Sequence, residues 1–564
     1  MSQRQSHRVD VLVIGGGTAG CAMAARLSEH TSRRVMLVEA GEDTLPGAVP
    51  ADIANPFPLS YANPAYFSAA PPASGPAKPG SDGFSQPKIM GGGSSVMGMW
   101  ALRGLPDDYN GWEAAGATGW GYDEVLTYFK RLERDLDFQG AMHGTTGPTP
   151  LMRVDPNIWP GFQRAVARAA SARGLHFFPD IHAHHGDGVF ALPNSTDGKT
   201  RASSAGCYLT PAVRARRNLE IRACTQALSL VFKDRKVTGA KLRQPDHGEE
   251  LVEAGAVVVC CGAIHSPALL MRSGIGPANR LHESGIQPLL DLPGVGENLQ
   301  NHVFVHLGGL LRPEARQTPS LRNYAIGCIR ASSGLDGAGA SDLFYGLISR
   351  TGARPHDNAI GLIAAGLYAP FSRGRVSLRQ QAPFGFPHVD FQALSDPRDE
   401  VRLIQAAEFA RALLHADGVR STMLETFVMP RKLPVKRLNA PGLVAALGSA
   451  ALAHLSSLPP ALRRAAITAS LGRQRLLSAG VPDRATFERV VLESAAPMFH
   501  PVGTCAIGSV VEPTTQVRGI DQLFVADASI MPRIPRANTN IPTLMVAERA
   551  AALIHDILLR APSA

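Results

Sequence analysis

The sequence predicts an α/β protein in which a Rossmann-like nucleotide domain, assembled from separated pieces of chain, joins a second domain of strands and helices. Three observations carry that prediction. The apolar run Val9 to Ile14, the helical periodicity of Ala19 to Leu27 and the strand-like Val35 to Val38 form a βαβ unit. Ala256 to Cys261 is a fully apolar strand ending at Gly262, and the C-terminal end returns to strand (Leu523 to Ala526) and amphipathic helix (Thr543 to Leu559). Between about residues 305 and 490 the glycine motifs vanish, and strand-like segments such as Gly374 to Leu378 alternate with helical ones such as Glu400 to Leu414.

The remaining segments fill in around this frame. Leu219 to Leu242 alternates as hairpin strands would. Gly41 to Ser85 is irregular, rich in Pro, Ala and Asn, and too long for a plain connector, so it is expected to wrap over another part of the molecule. The nucleotide domain is accordingly placed at residues 1–310 with 491–564, wrapping segment 41–160 included, and the second domain at 311–490. Residues 440–475 are alanine-rich, carry Arg463, Arg464, Arg473 and Arg475, and are broken by Pro459 and Pro460. They read as a pair of surface helices, with contact to a membrane surface or a partner as the second reading.

At 564 residues the chain has material for two or three domains. Its 18% charged and 45% hydrophobic residues exclude a disordered chain, and no stretch of about 18 uninterrupted apolar residues requires a lipid solvent. The formal charge of +9 is dispersed; the densest basic stretch, Arg431, Lys432, Lys436 and Arg437, lacks the interleaved aromatics of a base-stacking surface, so nucleic-acid binding is not expected. Seven cysteines (Cys21, Cys207, Cys224, Cys260, Cys261, Cys328, Cys505) show neither CxxC spacing nor a metal-ligand grouping. Reduced thiols, no metal and a cytoplasmic setting are the expectation, and the polar run Met1 to Asp10 contains no signal segment.

Gly15, Gly17 and Gly20 form GxGxxG directly after a buried strand, with Glu39 at the end of the next strand. Glycines permit the tight turn and the close approach of backbone to a pyrophosphate; the following helix N-terminus, with Thr18 and Ala19, presents amides and positive dipole to phosphates. Glu39 would accept hydrogen bonds from ribose hydroxyls. NAD and FAD remain equally open on this motif. Gly91 to Ser95, flanked by Ile89, Met90 and Val96, reads as backbone held close to a planar ligand rather than as a flexible linker.

With these segments in hand, the chain resembles the glucose-methanol-choline oxidoreductase family over nearly its whole length. GGGSSVMGMWALRG (Gly91 to Gly104) is similar to the family's first signature and GAIHSPALLMRSGIG (Gly262 to Gly276) to its second. HPVGTCAIG (His500 to Gly508), LFVADASIMP (Leu523 to Pro532) and ANTNIPTLMVAERAA (Ala537 to Ala551) follow in order and spacing. HGTTGPTPLMRVD (His143 to Asp155), IRASSG (Ile329 to Gly334) and FQALSDPRD (Phe391 to Asp399) look closest to the 5-(hydroxymethyl)furfural oxidase and aryl-alcohol oxidase-like group. The resemblance implies an FAD-binding domain, a substrate domain built on an antiparallel sheet flanked by helices, and oxidation of a small primary alcohol carried on an aromatic or furan ring, with oxygen or another compound as electron acceptor.

Site roles follow from the same resemblance. Beside Gly15, Gly17, Thr18, Ala19, Gly20, Glu39 and Ala40, it implies flavin contacts at Gly92, Gly93, Ser94, Val96, Met97, Gly98 and Met99. Ala227 would meet the adenine; Gly262 and His265 open the second signature; Asp527 and Ala528 would contact ribityl and pyrophosphate groups; Asn538, Thr539 and Asn540 precede the last helix. The chain departs from the family at Met97, where Asn or His is usual, at Pro87 in place of Gly, and at Asn301 in the NLQDH-like Asn298 to His302. Some relatives attach flavin through a histidine at the position of Val96; valine has no nucleophile, so the FAD is expected to be noncovalent.

Alcohol oxidation by a flavin requires a base within hydrogen-bond reach of the hydroxyl, and histidine keeps a neutral form available near pH 7. His500 is the expected base and Asn538 the group that orients the oxygen without competing for the proton. Phe499 and Arg536 are expected to line the substrate pocket, Arg536 at its mouth; Cys505 reads as packing. The competing expectation is a hydroxynitrile lyase-like enzyme that shares the fold and histidine and leaves the flavin idle.

Overall fold

The N-terminal βαβ unit forms where the apolar pattern places it, as β1 (His7–Ile14), α1 (Thr18–Leu27) and β2 (Val35–Val38). The structure is a computed structural model describing residues 7–68, 84–245, 247–354, 357–431, 439, 442–478 and 483–560. Val11 to Ile14 are at most 2% exposed, as a central parallel strand covered on both faces requires. β1 lies between β2 and β6 (Gly248–Val259), and the sheet continues outward from β2 to β3 (Leu219–Arg222), all in parallel register. On the other side, β6 pairs antiparallel with β5 (Lys236–Gln244), and β5 with β4 (Gln226–Lys233). The carboxyl-terminal part of β6 pairs in parallel with β7 (Leu523–Val525), so the far end of the chain closes the sheet.

One sequence expectation changes here. Leu219 to Leu242 is not a single hairpin run: Leu219–Arg222 joins β2 in parallel, and the hairpin begins only at Gln226. The backbone of Cys224, at φ +51°, turns the chain between the two pairings.

A second sheet runs in the order Met423–Val428, Val303–Leu311, Ile360–Leu367, Leu343–Ile348, Ala325–Ala331, Gly188–Ala191 and Phe177–Phe178, antiparallel except for its last pair. Helix α3 (Pro397–His415) packs across it with Ala406, Ala407, Ala410, Leu413 and Leu414 buried. This sheet differs from the division drawn at residue 311. It starts at Val303 and takes in Phe177–Phe178, Gly188–Ala191 and, through a pairing with Val303–Phe304, Ala496–Pro497. The reason is burial: Val189 and Phe190 are both fully buried, one in the cluster on each face of the sheet, so the strand belongs inside it.

Residues 443–471 form the two expected helices, α4 (Leu443–His454) and α5 (Pro460–Leu471), with Leu443, Val444, Leu447 and Leu462 exposed. The basic run Lys432, Lys436 and Arg437 lies outside the described residues. Among the described residues no helix is long and apolar enough to cross a membrane.

His143 and Arg153, from the HGTTGPTPLMRVD segment, belong to a buried ionic knot. Arg103 pairs with Glu133 at 2.5 Å, Arg153 with Asp135 at 2.9 Å, and His143 bridges Glu133 at 3.1 Å, Asp135 at 3.1 Å and Asp180 at 2.7 Å. Glu133, Asp135, His143 and His182 stand within ligating reach of one another, but their carboxylates are already met by two guanidiniums and the imidazolium. Those three carboxylates raise the pKa of His143 from 6.5 to about 10 against the cost of its burial. A folded value above the unfolded one means stabilisation that is complete below about pH 6.5 and lost as pH rises toward 10. His143→Leu is therefore expected to lower the thermal midpoint at pH 6, with the gap to the parent narrowing as pH approaches 10.

Candidate active site

Five parallel strand ends face one crevice, and the turn after β1 sits at its centre. Gly15 has φ +101°, and a Cβ there would lie 2.6 Å from the Cys260 carbonyl oxygen; a Cβ on Gly20 would lie 1.7 Å from the Gly15 carbonyl oxygen. Hydrogen in place of a side chain lets α1 start directly over the end of β1. The result is a cavity of about 470 Å³ lined by Gly15, Gly17, Thr18 and Ala19, by Glu39 and Ala40 after β2, and by Ala227 at the start of β4. Gly262 and His265 of α2 (Gly262–Arg272), Asp527 and Ala528 after β7, and Gly92, Gly93 and Met97 complete it. The glycine cluster meets the dinucleotide turn edge on: a Cβ on Gly92 would lie 2.9 Å from the Gly17 Cα.

Other expected cofactor residues stand behind this lining. Gly20 packs on Gly15. The Ser94 hydroxyl donates to the Gly91 carbonyl at 2.6 Å, and Val96, with no exposed surface, packs among Ile53, Tyr66 and Ile89. Gly98 lies against Trp100 and Tyr324; Met99, at φ +65°, accepts through its carbonyl from the Ser195 amide. Thr539 accepts through its carbonyl from the Thr543 hydroxyl, and the Asn540 side chain accepts from the Thr18 hydroxyl at 3.0 Å, tying α6 (Asn540–Arg560) to α1. Lining residues that the sequence did not mark include Thr225, Gln226, Gln86, Phe84, Arg272 and Thr543. Arg272 and Thr543 lie within the quoted signatures without being singled out, and the other four carry no motif; Gln86, which donates to the Cys261 carbonyl at 3.1 Å, follows the irregular segment 41–85.

Two buried carboxylates organise the walls. Glu39 accepts from the Gly16 and Gly41 amides, each at 2.8 Å; Asp527 accepts from the Gly262 amide at 2.8 Å, the Ser266 hydroxyl at 2.5 Å and the Ser529 amide at 2.7 Å. Burial raises the pKa of both, and these donors oppose the rise. A helix N-terminus for phosphates, a carboxylate one strand away for a ribose diol and a glycine wall too tight for side chains fit a dinucleotide such as FAD.

Phe499 and Pro501 also line the cavity and flank His500 in the chain. His500 and Asn538 are not among the lining residues, but both retain partial exposure among buried neighbours. The Asn301 amide side chain accepts from the His500 amide at 3.1 Å and donates to the Met498 carbonyl at 2.5 Å, so the asparagine found where the family motif has an acid holds the backbone at His500. His500 Nε2 lies 3.0 Å from Asn538 Nδ2, and His500 Nδ1 lies 3.0 Å from His302 Nδ1. The Tyr368 hydroxyl donates to Asn538 Oδ1 at 3.0 Å, and the His302 ring stacks on Tyr368 with centroids 4.2 Å apart. Burial lowers the pKa of His500 to about 3, leaving a neutral imidazole.

Phe499 packs between Tyr61, at 5.4 Å, and Phe84, at 5.2 Å. Arg536, expected at a pocket mouth, is 8% exposed and held by Asp108 at 2.7 Å, which neutralises the charge it would offer an acidic substrate. Cys505 is fully buried, and burial pushes its thiol pKa far up, as packing demands.

Fold and site together define a dinucleotide-dependent redox architecture. GMC oxidoreductase models for the N- and C-terminal domains match residues 9–304 and 370–547. The chain is 36% identical to 5-(hydroxymethyl)furfural oxidase of Methylovorus sp. (strain MP688), over 97% of this chain and 98% of that protein. It is 30% identical to the alcohol dehydrogenase (acceptor) of Pseudomonas putida, over 97% and 95%. The crystal structure of pyridoxine 4-oxidase from Mesorbium loti superposes with a TM-score of 0.77 at 27% identity, over 97% of this chain and 99% of that one. The chain belongs to the GMC oxidoreductase family and is an FAD-dependent oxidoreductase acting on CH–OH donors.

The contact at Gly20 makes a test of the cradle. Gly20→Ala places a methyl against the Gly15 carbonyl and is expected to cost about 1–3 kcal/mol or more, read as an earlier urea midpoint together with loss of bound flavin.

Proposed function

We propose that the chain oxidises a small primary alcohol on an aromatic or furan ring to the aldehyde, with His500 removing the hydroxyl proton. The observation that carries this reading is the placement of His500 between two residues that line the nucleotide cavity, Phe499 and Pro501, with the Asn538 amide 3.0 Å from its Nε2. Gly17, Thr18 and Ala19 would hold the pyrophosphate, Glu39 the adenosine ribose and Ala227 the adenine. Bound there, FAD would supply a two-electron acceptor for the hydride of the carbinol carbon, with oxygen or another compound as the final acceptor.

The chain's own residues do the rest. Tyr368, donating to Asn538 Oδ1, turns the amide so that Nδ2 faces His500; an entering alcohol hydroxyl would replace that N–H at the Nε2 lone pair, and Nδ2 would then hold the substrate oxygen. His500 Nε2 takes the proton as negative charge grows on that oxygen. Phe499, Tyr61 and Phe84 offer ring faces and edges to a planar substrate. A furan or benzene ring suits this cluster, and the relative of highest identity quoted above is named for a furan alcohol. Seven unpaired cysteines suit a reducing compartment such as the cytoplasm.

Under anaerobic conditions an aryl or furfuryl alcohol is expected to bleach the flavin absorbance; an unchanged spectrum across a broad alcohol panel would instead support lyase chemistry. His500→Ala is expected to retain FAD and reduce it about 100- to 10,000-fold more slowly, measured by stopped flow. Acid precipitation is expected to release the flavin into the supernatant, whereas colour retained in the pellet would mean a covalent link.

A further inference from the structure

We infer that His302 is a positioning residue that fixes the tautomer of His500 and, by accepting from its Nδ1–H, stabilises the imidazolium formed when His500 takes the proton of the alcohol. The inference rests on the reading of His500 as the base. Its starting point is the contact between two Nδ1 atoms, His500 to His302, at 3.0 Å. Two ring nitrogens at that distance form a hydrogen bond only if one carries the proton and the other a lone pair, and the surroundings decide which.

Asn538 Oδ1 is occupied by the Tyr368 hydroxyl, so the amide turns Nδ2, a donor, toward His500 Nε2. His500 Nε2 is therefore the lone pair, and its proton resides on Nδ1. His302 must then accept at Nδ1 and carry its own proton on Nε2. The backbone carbonyls of Tyr368 and Pro535 lie near the His302 ring as acceptors, and Nε2 itself makes no hydrogen bond. His302 is fully buried and clamped face to face on Tyr368, with ring planes 11° apart. The nitrogen meeting His500 is thus held in place by packing.

This arrangement does for an alcohol base what an orienting acceptor does for the histidine of a hydrolytic triad. In the oxidation, the O–H bond breaks, its electron pair stays on oxygen, and the proton bonds to His500 Nε2. The Nδ1–H facing His302 then belongs to an imidazolium, and its hydrogen bond to a neutral acceptor becomes charge-assisted. Among the described residues, the titratable groups packed against His500 are His302 and Tyr368; Tyr61 packs against the adjoining Phe499. Burial keeps His302 neutral and the Tyr368 phenol protonated, so no full charge opposes or duplicates the proton shared between the two rings.

The test compares His302→Gln with His302→Leu in the FAD-loaded enzyme. Glutamine can accept from His500 Nδ1 through its carbonyl and donate onward; leucine fills similar space and does neither. At equal FAD content, the leucine variant is expected to show flavin reduction by furfuryl or benzyl alcohol about 10- to 100-fold slower, with little change in KM. Its rate should rise with pH where the parent rate is flat, because hydroxide then removes the proton. The glutamine variant should recover most of the rate and the flat profile. A leucine variant at the parent rate, or a glutamine variant as slow and as pH-dependent as leucine, overturns the inference. Should the leucine variant lose its flavin, His302→Asn takes its place: a polar amide too short to reach His500, expected to behave as the leucine variant would. His500→Ala separates the two levels. If it reduces flavin at the parent rate, the base assignment fails; if it is slow while the His302 variants are not, only the role of His302 fails.

Discussion

The geometry of the whole molecule rests on the parallel junction of β1 with β6, sealed where Gly15 passes over the Cys260 carbonyl oxygen. A side chain larger than hydrogen at Gly15 or Gly20 would push α1 away from the strands, and the amides at its first turn would no longer meet the crevice. Because β7 pairs with the same β6, this junction also brings residues from near both ends of the chain to one cavity. Asp527 reinforces the closure, accepting from the first residue of α2 and from Ser266 while standing at the end of β7.

The second sheet solves a different problem. A base that works by proton removal must be neutral, and Val303–Leu311 and Ala496–Pro497 pair so that His302 and His500, just outside those strands, come together in a buried setting. Desolvation disfavours an imidazolium there and lowers the pKa of His500, which favours the neutral ring. The polar groups that accompany the ring are mostly paired: Asn301 with the His500 and Met498 backbone, Asn538 with Tyr368. Burying such a chain without partners would cost about 1–3 kcal/mol per group, so its pairing is as much a condition of folding as of chemistry.

Much of this was legible in the sequence, and the reasons differ by element. The βαβ unit, Glu39 and the terminal helix announce themselves through short-range patterns, apolar runs and glycine spacing that allow few alternatives. His500 beside Asn538 needed the resemblance to known enzymes, since a histidine in an apolar run is ordinarily structural. Asn301 stands in the sequence only as a departure from the NLQDH-like pattern, whereas its amide holds the backbone of the proposed base. What stayed hidden is long-range pairing: that Gly188–Ala191 joins a sheet built mainly from residues beyond 303, and that His302 meets His500. Arg536 shows the same limit from the other side, because only the fold reveals Asp108 next to it.

The proposed convergence of both chain ends on one reacting carbon is most directly tested by a crystal structure of the FAD-bound protein with a furfuryl or benzyl alcohol. His500 Nε2 within about 2.6–3.2 Å of the alcohol oxygen, with the carbinol carbon against the flavin ring, is the predicted result. An alcohol seated elsewhere, or a His500 ring turned away from it, would contradict the assignment.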